Sequence, residues 1–293
     1  MEKKQKLFLI YNPNSGKGRF SGTLSKIAHC LSDKFDLVIR VSISREQARD
    51  IAREITAAEK KPLIAAAGGD GTVNDIINGA DIGNLILGII PVGSVNIIAK
   101  ELGIPENIRK SCIILKKQTI DHIDVSTANE TRFIFSAGLG FDADIIRQVD
   151  INSKLLIGKA VYGLGFIKVL KEFRPFYARV CVDGNIVYEG DIFECIAGKS
   201  RYYAGKFILF PGASLKNGKI DFAVFTHKSK NGFISGCLKF FAGKKDPDLK
   251  YWRGYKIEVS TKEKIFFHVD GDNGYTSPVV FSVEEQKLNI IVP

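Results

Sequence analysis

At 293 residues, 45% hydrophobic and 25% charged, the chain has the composition of an ordinary globular protein and the length of one large or two medium domains. No apolar run is long enough to span a membrane as a helix. The longest, near Leu85–Ile98, is broken by Pro91 and Gly93, and the five apolar residues after the basic start Met1–Lys6 are too few for a secretory signal. The formal charge of +10 asks for an anionic partner, yet no recognition helix, zinc spacing or aromatic RNA-binding motif points to nucleic acid; phosphorylated substrates or an anionic membrane surface remain.

Leu7–Tyr11 reads as a strand, followed by a helix to Leu31 with Leu24, Ile27, Ala28 and Leu31 on one face. Asp36–Val41 is a second strand, and the next helix, Gln47–Ala58, carries Ala48, Ile51, Ala52 and Ile55 along one stripe. Pro62–Ala67 is a short buried strand, then a glycine turn, then a helix ending at Gly79 whose Thr72 and Asp75 have capping-box spacing. Leu85–Ile90 is the fourth strand; helices follow, one ending near Glu101–Pro105 and one over Asn107–Lys116. This alternation predicts a doubly wound α/β domain over residues 1–118, with parallel strands and right-handed crossovers. From Gln118 the texture changes to short strands: Ile120–Ser126, Arg132–Ala137, Ala178–Val182, Asn185–Tyr188, Ile192–Ala197, Ile220–Phe225, Tyr255–Ser260 and Lys264–Val269. Residues 119–293 therefore read as an all-β antiparallel sandwich or barrel, interrupted by helical stretches at Lys154–Phe173 and Asn231–Phe241. The five cysteines are scattered, with neither metal-site spacing nor a disulfide framework, and read as reduced thiols of a cytosolic protein.

Three polar, glycine-bearing turns follow three of the strands: Asn12-Pro13-Asn14-Ser15-Gly16, Gly68-Gly69-Asp70-Gly71-Thr72-Val73-Asn74, and Pro91-Val92-Gly93-Ser94-Val95-Asn96. In an open parallel sheet such turns gather at the carboxyl ends of the strands, where ligands bind. The strand–glycine–helix geometry at Gly68–Asn74 offers free N–H groups and a positive dipole end to an anion such as phosphate. Read by itself, the same segment is also an ordinary tight βα turn. The Asn12–Lys17 stretch lacks the leading glycine of a P-loop, which excludes Walker-type binding.

Together these turns resemble the bacterial diacylglycerol kinase and lipid kinase family, related to sphingosine kinases and more distantly to NAD kinases. The resemblance runs through nearly the whole chain and is most specific at Gly68–Asn74. It implies an NAD-kinase-like parallel sheet in the first domain, and ATP held by Asn12, Pro13, Asn14, Ser15 and Gly16, by Gly68 through Asn74, and by Ser94, where the family has threonine. The family's threonine after the second strand aligns with Ser42, Ser44 being a close competitor.

Phosphoryl transfer to an alcohol needs a carboxylate near the attacking hydroxyl and a divalent cation against the phosphates. Asp270-Gly271-Asp272 follows a strand and, read alone, is a surface turn. The family has Asp-Gly-Glu there with the glutamate as general base, so the resemblance gives that role to Asp272 and puts Asp270 in the metal and hydrogen-bond network. Asp70 either supports Mg²⁺ through water or braces its own glycine turn. Asp124 matches a family aspartate of the water–Mg²⁺ network, while a third such aspartate is replaced by Ile97. A structural Mg²⁺ loop of the family maps onto Ser214, Asn217 and Lys219, with the neutral Asn217 where a carboxylate is expected. Lys154–Phe173 and the aromatic, basic Asn231–Lys256 are the candidate lipid-facing segments, although their aromatic residues can equally fill the sandwich core.

The expectation is a cytosolic, peripherally membrane-associated lipid kinase that uses MgATP to phosphorylate a lipid hydroxyl, with diacylglycerol as the foremost acceptor, no nucleic-acid partner, and a homodimer compatible with it. A kinase of another alcohol, such as a sphingoid base or NAD, and a nucleotide-binding regulator without catalysis are the alternatives.

Overall fold

The computed structural model describes residues 4–16, 22–152, 169–203 and 207–293. The chain forms two compact units, Met1–Val125 with Glu284–Pro293, and Ser126–Val283. The first unit therefore ends at Val125 rather than near residue 118, and it includes the last stretch of the chain, which the sequence pattern places with the β-rich domain. The physical reason is strand pairing: Asn289 and Ile290 add in parallel to Ile86 and Leu87, so the chain's end is an extra strand of the first unit's sheet.

In the first unit β1 (Gln5–Tyr11), α1 (Thr23–Leu31), β2 (Phe35–Val41), α2 (Arg45–Ala58), β3 (Leu63–Gly68), α3 (Asp70–Gly79), β4 (Ile86–Pro91), α4 (Ile97–Glu101) and α5 (Ile108–Lys117) follow one another. The parallel strands lie in the order β2-β1-β3-β4. From β1 the chain moves outward to β2 and then back past β1 to β3. Right-handed crossovers in opposite directions place α1 on one face and α2 and α3 on the other. All six residues of β3 are buried, as a strand covered on both faces requires. The reversal lies between β1 and β3, and the carboxyl ends of those two strands are the position where such sheets bind ligands. Gly69, not Thr72, is the N-cap of α3, so the helix starts earlier than the capping-box reading expects; Asp75 instead pairs with Arg49 at 3.3 Å.

β5 (Thr119–Ala128) leads into the second unit. Its elements are β6 (Thr131–Phe133), β7 (Ser136–Gly140), α6 (Phe141–Asn152), β8 (Phe176–Val182), β9 (Asn185–Ile192), β10 (Glu194–Gly198), β11 (Tyr202–Tyr203), β12 (Phe207–Ile208), β13 (Ile220–Phe225), α7 (Lys230–Phe241), β14 (Leu249–Gly254), β15 (Lys256–Thr261), β16 (Phe266–Val269) and β17 (Asp272–Thr276); β18 (Val279–Val292) then carries the chain back to the first unit. One antiparallel sheet has the order β14-β13-β10-β7-β16-β17, and in the other the start of β18 pairs with β15, which pairs with β8 and then β9. Leu139, Cys195, Phe222, Val224 and Phe267 of the first sheet pack against Val180, Ile257, Val259 and Phe281 of the second, a sandwich rather than a barrel. The opposite face of the six-stranded sheet is covered too. Ile196, Ala223 and Phe225 pack there with Phe141, Phe193 and Phe233, the last of these from α7. With both faces buried, β7, β10 and β13 show no hydrophobic alternation.

The expected strand Arg132–Ala137 is split between β6 and β7, because the N–H groups of Ile134, Phe135 and Ser136 donate to the Asp270 carboxylate. β14, β17 and most of β18 lie where no strand was expected. Of the expected helix Lys154–Phe173, all but the end lies outside the described residues; residues 169–172 are helical. Among the described residues no helix is long and apolar enough to cross a membrane.

Candidate active site

In the first unit the turns after β1, β3 and β4 are tied to one another. Asn12 N–H donates to the Ala67 carbonyl at 3.0 Å, and its Nδ2 donates to Thr72 Oγ1 at 3.2 Å. Its own Oδ1 accepts from Asn14 N at 2.9 Å, closing an Asx turn that exposes Pro13 and Asn14. Val92 N–H donates to the Gly68 carbonyl at 3.0 Å, and a Cβ on Gly93 would stand 2.5 Å from Gly69 Cα. The two glycine turns therefore meet backbone to backbone, which only residues without side chains allow. Asp70 does more than brace its own turn. Its Oδ2 accepts from Ile97 N and its Oδ1 from Ile98 N, both at 3.0 Å, so it satisfies the first N–H groups of α4 and joins the β3 turn to the β4 turn.

The N-terminus of α3 has no side-chain cap, its Gly69 N-cap is extended, and Gly71 beside it is exposed. Backbone N–H groups and the positive helix end there suit a phosphate oxygen. Not every residue expected at the nucleotide offers its side chain. Val73 is buried, and Asn74 is buried with its Oδ1 accepting from Asn78 Nδ2 at 3.0 Å. Ser42 is buried and donates to the Ser44 carbonyl at 2.8 Å, whereas Ser44 caps α2 by accepting from Gln47 N. Ser94 is exposed at the β4 turn, and Ser15 and Gly16 are half-buried. Asp124 is buried on β5, with Lys287 Nζ at 3.4 Å from its Oδ1.

In the second unit Asp270 and Gly271 both have positive φ, 48° and 86°, and join β16 to β17 by a two-residue turn of the type that matches strand twist. The Asp270 carboxylate accepts from Ile134 N at 3.1 Å, Phe135 N at 3.0 Å and Ser136 N at 2.8 Å, while Asp270 N–H donates to the Ser136 carbonyl. Three charge-assisted bonds of this kind fix the hairpin against the β6–β7 connection. Asp272, the first residue of β17, is buried opposite Val269.

Beneath the turn lies a network that sequence reading does not single out. Gly271 N–H donates to His268 Nδ1 at 3.3 Å, so in the neutral ring the proton sits on Nε2, which meets Asp142 Oδ2 at 2.7 Å. Tyr203 OH donates to the same oxygen at 2.8 Å and lies 3.4 Å from Glu194 Oε1. Burial alone would push the His268 ring below its ordinary range, but the charge and hydrogen bond of Asp142 outweigh it and hold the imidazole above that range. Asp142 itself is raised by burial and lowered more by His268, ending below the usual carboxylate range. Burial and the adjacent Asp142 charge push Glu194 well above that range. Gly138 makes room for this network, since a Cβ there would clash with the Asp142 carboxylate.

The expected structural-metal loop does not fit a divalent ion. Asn217 Oδ1 accepts from Lys199 Nζ at 3.2 Å and Lys219 N at 3.0 Å, and the Lys219 carbonyl accepts from the same ammonium at 2.8 Å. Elsewhere among the described residues, His227, Asp246 and Asp248 bring three possible ligand atoms together, with His227 Nε2 and Asp246 Oδ2 2.8 Å apart; none of them belongs to the expected set.

Known proteins match in two successive parts of the chain. Residues 6–128 match the family described as diacylglycerol kinase catalytic domain, and residues 136–292 match the YegS C-terminal NAD kinase beta sandwich-like domain. A diacylglycerol kinase of Bacillus subtilis is 28% identical over 291 residues, covering 97% of this chain and 95% of the relative. One from Staphylococcus haemolyticus is 26% identical over 97% of this chain and 87% of its own length. A crystal structure of a putative diacylglycerol kinase from Bacillus anthracis superposes with a TM-score of 0.81 at 25% identity, covering 99% of this chain and 98% of that one. An NAD kinase from Archaeoglobus fulgidus in complex with ATP superposes at 0.54 with 12% identity, over 97% of this chain and 93% of that one, a likeness of fold. With both parts matched in order over nearly its whole length, the chain belongs to the bacterial diacylglycerol kinase and lipid kinase family.

Proposed function

We propose that the protein transfers the γ-phosphoryl group of MgATP to the free hydroxyl of a lipid, with diacylglycerol the foremost acceptor and phosphatidic acid the product. In the first unit the α3 N-terminus and the turns at Asn12–Gly16 and Ser94 hold phosphates and nucleoside. The second unit supplies the proton acceptor. The observation that carries this reading is the division of labour in the hairpin. Asp270 holds the hairpin through three backbone N–H groups, and the reading gives proton removal from the lipid hydroxyl to Asp272, which stands where the family pattern has its glutamate. Asp272 is one methylene shorter than the glutamate of the family pattern, so the hydroxyl must approach the hairpin more closely.

When bound, Mg²⁺ neutralises charge on the transferring phosphates. Each Asp70 oxygen holds one N–H and retains a second acceptor site for a metal-bound water. Asp124, paired with Lys287, would act in the same water network. The reading assigns membrane contact to the end of α7, where Leu238 and Phe241 are exposed beside Lys239, Lys244 and Lys245.

The test is transfer of labelled γ-phosphate from ATP in mixed micelles, with Mg²⁺ or with chelator, offering diacylglycerol, ceramide, a sphingoid base and NAD separately. Labelled phosphatidic acid that disappears with chelator is the expected result. Label on another acceptor would replace the substrate. No label on any of them, with ATP binding demonstrated, would favour a non-catalytic nucleotide-binding protein.

A further inference from the structure

The loop between β12 and β13 is fastened at both ends by cations of the protein itself. At its start Arg253 Nη2 donates to the Gly212 carbonyl at 2.7 Å and to Asp221 Oδ1 at 2.6 Å. At its end stands Lys199, which follows β10 and is completely buried although lysine is among the residues least often found so. Its backbone is pinned by a bond from Lys199 N to the Phe135 carbonyl at 3.0 Å, and its ammonium meets Asn217 Oδ1 and the Lys219 carbonyl.

Those two oxygens belong to two of the three residues, Ser214, Asn217 and Lys219, onto which the resemblance maps the family's structural cation. Asn217 Oδ1 already accepts from Lys199 Nζ and Lys219 N, which uses both of its acceptor positions. A divalent ion bound there would have to displace or abut a buried positive charge of like sign. The residue change fits the same logic. A hard cation captured from solution needs anionic oxygen to hold it. An ammonium delivered by the chain needs only acceptors for its N–H groups, and a neutral amide with a backbone carbonyl supplies them.

We propose that the Lys199 ammonium takes the place of the structural divalent cation, so that this loop is held without metal. The inference concerns the stability of the second unit and stands apart from the phosphoryl-transfer reading, because its readout is unfolding in the absence of nucleotide.

The experiment is thermal unfolding of the full chain without nucleotide, after chelator and then with added Mg²⁺, Ca²⁺ or Mn²⁺. The wild type should melt at the same temperature throughout. Lys199→Met should melt lower, and the double variant Lys199→Met with Asn217→Asp should recover stability as divalent ion is added, since a ligand that binds only the folded state raises its stability. A wild-type melting temperature that rises with Mg²⁺ and ceases to do so in Asn217→Ala would overturn the proposal, whether or not the lysine variants fold. So would Lys199→Met that folds and melts like the wild type.

Discussion

Under the proposed function, the two aspartates separated by one glycine differ in duty, Asp270 holding backbone N–H groups and Asp272 taking a proton, and they should fail differently. Replacing Asp270 by asparagine leaves one oxygen to serve three N–H groups of the β6–β7 connection and puts an amide donor among them. A buried donor left without its acceptor costs about 1–3 kcal/mol. Asp270→Asn should therefore lower the unfolding free energy by about 2 kcal/mol, measured by denaturant titration, with activity falling as the hairpin loosens. An unchanged stability would contradict the scaffold role. His268 makes a second prediction at this scale. Its imidazole is held above the ordinary value of 6.5, so the folded protein keeps the proton after the unfolded chain has lost it. The stability this provides is complete below 6.5 and is lost as pH rises through the folded value. Glu194, raised above its usual 4.5, acts in the same direction from lower pH. Unfolding free energy should therefore decline as pH rises above about 6.5, and decline less in His268→Gln. Equal slopes in the two proteins would contradict the assignment.

Among the elements, the β3 and β4 turns form one device. Gly69 and Gly93 touch through their backbones, and Asp70 reaches across to the first N–H groups of α4. Gly93→Ala puts a methyl group 2.5 Å from Gly69 Cα, so the turns must separate. Overpacking of this kind costs about 1–3 kcal/mol. Isothermal titration with ATP should show weakened binding by this variant; binding equal to wild type would argue against the shared turn as the phosphate site. The elements of this half were legible because buried parallel strands, glycine turns and amphipathic helices each leave a periodic or compositional mark. The second half was less legible, for a physical reason. With both faces of the β14–β17 sheet covered, its central strands lose alternation, and the Asp270 carboxylate splits one expected strand by taking its N–H groups. β18 was missed as a strand and as a member of the first unit, because nothing local to residues 284–293 announces a partner as far away in sequence as Ile86. In the candidate site, residues within turn motifs could be read directly. His268, Asp142, Tyr203 and Lys199 could not, since each gains its role from a contact across the fold.

On the scale of the whole molecule, the +10 charge and the exposed apolar end of α7 suit a reversible encounter with an anionic surface. A few well-placed lysines contribute roughly 1 kcal/mol each at such a surface, and salt screens them. Cosedimentation with phosphatidylglycerol vesicles should fall with added salt, and should fall further in the Leu238→Ser, Phe241→Ser double variant. Retention equal to wild type would remove α7 from the membrane contact. That region shows why the aromatic and basic pattern of residues 231–256 was ambiguous when read alone: Phe233 belongs to the core while Leu238 and Phe241 are exposed, on one helix.

In the proposed reaction Asp272 takes the proton from the acceptor hydroxyl while Asp270 holds the hairpin that carries it. The most direct measurement is the steady-state rate of diacylglycerol phosphorylation by Asp272→Asn, with its melting temperature taken alongside that of the wild type. A positioned general base contributes about 10²–10⁴-fold. Asp272→Asn should lose kcat by that order with the melting temperature preserved. An Asp272→Asn protein that turns over at the wild-type rate would contradict it.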